Sequence, residues 1–438
     1  MPQSPTRRGR RSTLTAAVLA AAATSLAAAC TSAPAPNASS SGATPRPSTT
    51  QMPTTPETSR PAPTTPATTT ATTPATGRTT TSTPATPTSC APAIVARMSA
   101  DERAGQLLMV GLGSGTSRTS LDALVARRHL GGVILLGGWT AGLDAVRATT
   151  RHLAGLASKA DTAGLGLLLA ADQEGGAVQQ LRGDGFSRMP SARVQDQGSP
   201  AGLTADATRW ASQLRAAGIN VNLAPVADTV PTSIGRANGP IGQYDRQYSS
   251  NPERVSTMVA AFVAGMRAGG VAATVKHFPG IGRITGNTDV TARGITDDTT
   301  TVNDPYLEPF RTGIQDGVEL VMVGSAIYSR IDPGTNAVFS KPIVTGLLRD
   351  RLSYDGVVIT DDVGAARSVA AVPVGERATR FIQAGGDITL TARPSTVPAM
   401  HDAITTKART DPAFARQVAA ATTRVVDLKL KMGLAHCP

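Results

Sequence analysis

Past residue 90 the chain alternates short apolar runs with amphipathic stretches. The runs are "QLLMVGL" (106–112), "GGVILLGG" (131–138), "LGLLLAAD" (165–172), "INVNLAPVAD" (219–228), "VAATVKHF" (271–278), "VELVMVGSA" (318–326), "GVVITDD" (356–362) and "GDITLTA" (386–392). They are continuous and rich in Val, Ile and Leu, which is the signature of strands buried on both faces. Helical periodicity fills the intervals. The clearest case places Val255, Met258, Val259, Phe262, Val263 and Met266 on one face, opened by Asn251-Pro252-Glu253 and closed by Gly269-Gly270. Eight such units in about 350 residues predict an α/β fold, a (β/α)8 TIM-type barrel with long loops over 90–438. A doubly wound open sheet is the alternative, and eight strands fit it less well.

Polar residues mark the ends of several runs: Asp172, Asp228, Lys276-His277 and Asp361-Asp362. Each alone could be a helix cap. In a barrel these positions share one rim, where active sites lie.

The first 89 residues have a different character. Residues 1–29 carry Arg7, Arg8, Arg10 and Arg11 ahead of an uncharged, Ala-rich stretch and read as a signal peptide. Leu26-Ala27-Ala28-Ala29-Cys30 resembles a bacterial lipobox, which implies lipidation at Cys30; an ordinary cleaved signal is the alternative. Residues 30–89 are almost entirely Thr, Pro, Ala and Ser, too polar to offset chain entropy, and read as a lipid-anchored linker open to O-glycosylation. An exported protein tethered to the outer face of the cell membrane is expected.

The formal charge of +11 does not point to nucleic acid. Residues 1–90 hold seven Arg and one Glu, and the remaining 35 basic and 30 acidic residues form no dense basic run. Besides Cys30, only Cys90 and Cys437 remain, one at each edge of the folded part. Two thiols in an exported protein suggest a disulfide, worth on the order of 4–5 kcal/mol in the chain-entropy model.

Five stretches occur in order: Asp172-Gln173-Glu174-Gly175-Gly176, then Asn222-Leu223-Ala224-Pro225-Val226-Ala227-Asp228, Asp245-Arg246, Lys276-His277-Phe278-Pro279-Gly280 and Thr360-Asp361-Asp362. Together they resemble glycoside hydrolase family 3, in its bacterial β-N-acetylhexosaminidase branch. The resemblance covers essentially all of the chain after residue 90. It implies retaining removal of β-linked GlcNAc through a covalent glycosyl-enzyme, with Asp361 as nucleophile. It also implies that Asp172, Arg246, Lys276 and His277 bind the sugar. A surface ion pair with Asp245 is the plainer reading of Arg246, and a helix cap that of Asp361.

The chain departs from that family pattern at several positions. Gln180 occupies the slot of a family arginine, leaving Arg182 as the nearby candidate for a distal substrate contact. Ser325 stands where many relatives have His. Trp139 is either a sugar platform or an ordinary loop hydrophobe. Most consequential, the branch takes its acid/base from an Asp-x-His pair, and here those slots hold Asn287 and Asp289. The five His residues are 129, 152, 277, 401 and 436, and none lies in that loop.

Three readings follow. Asp289 itself is the acid/base, another group serves, or the protein is a catalytically weak sugar binder. A solute-binding lipoprotein is the reading from a different class. The expectation is an enzyme acting on GlcNAc-containing cell-wall (muropeptide) fragments. No cofactor, metal or nucleic-acid partner is expected, only a carbohydrate substrate and a membrane reached through the lipid; a monomer is expected.

Overall fold

The computed structural model describes residues 89–438. The expected signal peptide, lipidation at Cys30 and the linker up to residue 88 lie outside the described residues.

All eight apolar runs form strands, in the expected order. They are β1 (Leu108–Gly113), β2 (Gly132–Leu136), β3 (Leu168–Ala171), β4 (Val221–Asn222), β5 (Ala272–Phe278), β6 (Leu320–Val323), β7 (Val357–Thr360) and β8 (Thr389–Thr391). Every neighbouring pair is parallel and sequential, from Met109↔Gly132 between β1 and β2 to Val357↔Leu320 between β6 and β7. β1 returns to β8 through Leu108↔Thr389, and an Ile359↔Ile388 bridge brings β7 against the start of β8. The result is a (β/α)8 barrel rather than an open sheet. An open sheet would leave the β1 and β8 edges unpaired.

β4 is short because Pro225 has no N–H to give to the ladder. Pairing resumes beyond it: Lys276 N donates to Pro225 O at 3.2 Å, and Ala227 N to Lys276 O at 2.6 Å. The buried Asn222 side chain ties the end of β3 to β4. It accepts from Gln173 N at 3.0 Å and donates to Gln173 O at 3.1 Å. A buried amide satisfied in this way holds the two strand ends in fixed register.

The helix expected around residue 259 runs Pro252–Ala268, with the Asn251 side chain accepting from Glu253 N and Gly269 at its end. It buries Val255, Met258, Val259, Phe262, Val263 and Met266 against the barrel wall. At the chain's folded edges, Cys90 and Cys437 are joined by a disulfide with their Cα atoms 5.8 Å apart. Beside it Ala91, Val95, Met98, Leu165, Val426 and Ala435 form a small apolar cluster distinct from the main core.

Candidate active site

The C-terminal ends of β3, β4, β5 and β7 converge on one rim. A cleft of about 190 Å³ opens there, lined by Asp172, Arg246, Lys276, His277, Asp289 and Asp361 with five further residues. Larger hollows exist elsewhere, for example between Arg215 and Met432 at the opposite end of the barrel. They hold none of these groups.

The floor of the cleft is a buried charge network. Lys276, on the last turn of β5, is 2% exposed and has nowhere to send its ammonium but inward. Its Nζ lies 2.6 Å from Asp172 Oδ1 and 2.6 Å from Glu174 Oε1. Glu174 in turn receives Arg246 twice, Nε on Oε2 at 2.9 Å and Nη2 on Oε1 at 2.8 Å. Burial alone would raise the Glu174 carboxyl, but the Arg246 and Lys276 cations overcome it and hold the group down at about 2. For Lys276 burial pulls downward, and the Asp172 and Glu174 carboxylates more than reverse it. Glu174 and Lys276 are therefore held in their charged forms at neutral pH.

Asp228, wholly buried at the end of the β4 segment, orients His277. Its Oδ2 lies 2.7 Å from His277 Nδ1, and its Oδ1 accepts Ile281 N at 2.7 Å. The other ring nitrogen, Nε2, lies 3.5 Å from Arg246 Nη2. The Lys276–His277 peptide is cis, as are Ala224–Pro225 and Phe278–Pro279.

The two aspartates after β7 have different tasks. Asp362 Oδ1 accepts backbone N–H groups from Gly364 at 2.8 Å, Ala365 at 3.2 Å and Ala392 at 3.0 Å. It is the cap of the turn that follows. Asp361 instead lines the cleft, its N–H donating to Val323 O at 3.0 Å and its Oδ1 accepting Asp362 N at 2.8 Å. The capping role considered for Asp361 belongs to its neighbour.

Asp289 faces Asp361 from the loop after β5. It is exposed at the lip of the cleft, yet protein atoms crowd its carboxyl. That partial burial first, and then the Asp361 carboxylate, push it up to about 6 against the pull of His277 and Arg246. Among the described residues no protein group hydrogen-bonds the Asp289 carboxylate. The Asn287 side chain accepts the Asp289 backbone N–H at 3.0 Å instead. Two of the loop's glycines serve close packing: a Cβ at Gly282 would lie 1.9 Å from Thr229 O, and one at Gly286 2.0 Å from Arg293 O.

Other expected features fall differently. Arg246 makes no pair with Asp245, which binds Arg236 at 3.1 Å. Arg182 is not brought to the cleft: it is exposed, and its Nε donates to Gln179 O at 2.7 Å. Its backbone N–H donates to Trp139 O at 2.8 Å. Trp139 donates Nε1 to Leu136 O and packs on the core. Lys276 neutralises Asp172 and Glu174. Glu174 was not among the expected site residues; Asp228 was expected at the rim but without the role of orienting His277.

This arrangement of two carboxylates above a polar, charge-locked floor is that of a carbohydrate-cleaving site. Residues 99–428 match the family described as "Glycosyl hydrolase family 3 N terminal domain". The chain belongs to this family and is a glycoside hydrolase. Over 240 residues it is 35% identical to a beta-hexosaminidase of Xanthomonas oryzae pv. oryzae (strain KACC10331 / KXO85), covering 53% of this chain and 69% of the relative. The crystal structure of a beta-N-acetylhexosaminidase from Beutenbergia cavernae DSM 12333 matches with a TM-score of 0.74 at 46% identity, covering 76% of this chain and 99% of the other. A glycoside hydrolase family 3 beta-N-acetylglucosaminidase from Paenibacillus sp. str. FPU-7 gives 0.67 at 28% identity, covering 78% and 64%.

Proposed function

We propose that the protein is a retaining exo-β-N-acetylglucosaminidase that removes β-linked GlcNAc from cell-wall muropeptide fragments. The observation that carries this reading is the pairing of Asp361 and Asp289 across one small cleft, with the Asp289 carboxyl pushed up to about 6. The names of the relatives, beta-hexosaminidase and beta-N-acetylglucosaminidase, support the choice of sugar.

In the first step the Asp361 carboxylate bonds to the anomeric carbon as the glycosidic C–O bond breaks. The Asp289 proton passes to the departing oxygen. In the second, Asp289, now a carboxylate, takes a proton from water, whose oxygen bonds to the anomeric carbon and releases Asp361. The raised carboxyl of Asp289 suits the group that must begin protonated. Asp172, Arg246, Lys276 and His277 offer acceptors and donors to the sugar hydroxyls, with Lys276 Nζ 2.6 Å from Asp172 Oδ1.

A sugar-binding protein with little turnover is the second reading, favoured by the absence of the branch's loop histidine at Asn287-Thr288-Asp289. Release of p-nitrophenol from its N-acetylglucosaminide, together with GlcNAc release from GlcNAc-MurNAc fragments, separates the two. Turnover with both supports the enzyme; saturable binding of GlcNAc without turnover supports the second.

The proposed place of action is the outer face of the cell membrane, held by lipid on Cys30 and spaced by the Thr/Pro/Ala/Ser-rich linker. Cys30→Ala is expected to move the protein from the membrane fraction into the medium, and unchanged retention would remove the anchor from the account.

A further inference from the structure

Asp289 holds its place entirely through its backbone. Beyond the Asn287 turn, its carbonyl oxygen accepts Arg367 N at 3.0 Å, and the carbonyl of Thr288 accepts Ser368 N at 3.0 Å. Residues 367–369 form a short turn in the same β7 loop that begins with Asp361. The two carboxylates are thus carried on loops zipped to each other. The zipper itself is held from behind. Ser368 Oγ lies 2.7 Å from Ser325 Oγ, a buried residue just after β6. Asn336 Nδ2 donates to Ser325 O at 2.7 Å and reaches Ser368 O at 3.5 Å.

We propose that Ser325, Ser368 and Asn336 are positioning residues that set the height of Asp289 over the cleft by bracing the β7 loop against the β6 loop. The inference rests on the role of Asp289 proposed above. None of the three side chains lines the cleft. Their effect passes through the Ser368 N–H to the Thr288 carbonyl and so to the next residue. Removing the Ser325 hydroxyl leaves Ser368 without its partner and lets the turn relax. A proton donor displaced by a fraction of an ångström protonates a poor leaving group less well, while the attack by Asp361 is little changed.

The test measures kcat/KM on an activated aryl N-acetylglucosaminide and on an alkyl N-acetylglucosaminide, for the wild type, Ser325→Ala, Ser368→Ala, the double variant and Asp289→Ala. The serine variants are expected to lose on the order of tenfold on the alkyl substrate and less than about twofold on the aryl one. The double variant is expected to be no worse than either single one, because both singles remove the same bond. Ser368→Thr, which keeps the hydroxyl, is expected to recover most of the loss. Thermal unfolding of each variant keeps loss of fold separate from loss of positioning.

Equal losses on the two substrates, additive losses in the double variant, or no loss at all would overturn the positioning role while leaving Asp289 in place, provided Asp289→Ala itself discriminates between the substrates. If Asp289→Ala does not discriminate, the acid/base reading falls and this inference falls with it.

Discussion

Both carboxylate oxygens of Glu174 are held by the guanidinium of Arg246, at 2.9 and 2.8 Å, in a pair where Glu174 is nearly inaccessible to solvent. A fork-to-fork contact of this kind fixes two side chains at once. Removing the acid strands Arg246 and leaves Lys276 with Asp172 alone. Glu174→Ala is therefore expected to destabilise the fold by about 3–5 kcal/mol, read by denaturant unfolding. It is also expected to raise KM for any GlcNAc glycoside, since the cations that line the cleft lose their register. An unchanged midpoint and KM would show that the network is dispensable.

Asp361 and Asp362 are neighbours with separable phenotypes. Asp361→Asn is expected to lower turnover on the order of 10⁴-fold with little change in stability. Asp362→Asn weakens the cap made to Gly364, Ala365 and Ala392, and is expected to lower the unfolding temperature with a modest loss of activity. A 2-fluoro glycoside inactivator is expected to label the peptide at Asp361. Label on Asp362, or the reverse pattern of losses, would exchange the two roles.

The eight strands were legible because burial on both faces writes a long apolar run. Asp361, Lys276 and His277 were legible because they interrupt such runs at strand ends. Glu174 was not, and the position of Asp228 was legible but its role was not, although both sit in quoted motifs. A buried carboxylate makes sense only through its partner, and their partners Arg246 and His277 lie 72 and 49 residues away in sequence. Arg182 misled for the opposite reason: position in sequence says little about where an exposed loop side chain points. The purpose of the loop glycines was also hidden, because Thr229 and Arg293, which they approach, come from other turns of the chain.

Lys429 offers a stability test apart from the site. It is fully buried, its ammonium meets only Gln106 Oε1 at 2.5 Å among the described residues, and burial pushes it down to about 7 from 10.5. Between those values the unfolded chain holds a proton that the folded protein lacks, so stability is expected to rise with pH from about 7 to 10.5. Below that window both states are protonated and the contribution is flat. Lys429→Met is expected to remove this rise, measured as unfolding free energy at several pH values; a slope identical to wild type would place the effect on other groups.

Reduction of the Cys90–Cys437 disulfide frees two segments that are 347 residues apart. The loss in stability is expected to be on the order of 5 kcal/mol in the chain-entropy model, followed by chemical unfolding with and without reductant. Identical transitions would mean that the small apolar cluster beside the bond suffices to hold the folded edges together.

The pH profile follows from Asp289. Its carboxyl, raised to about 6, is protonated below that value and can give its proton to the leaving oxygen. For an alkyl glycoside, kcat/KM is expected to fall as pH rises through about 6, whereas an activated aryl glycoside, needing little protonation, keeps a flatter alkaline side. An alkaline fall of equal depth on both substrates would tie that limb to a different group.

The central claim is that Asp289 does the work of the missing histidine, and kcat/KM of Asp289→Ala with and without azide tests it most directly. The account predicts a loss of about 10²–10⁴-fold on alkyl glycosides, a far smaller loss on activated aryl glycosides, and partial recovery when azide replaces the base-assisted water. An equal loss on both classes with no recovery by azide would contradict it, and the proton would have to come from elsewhere.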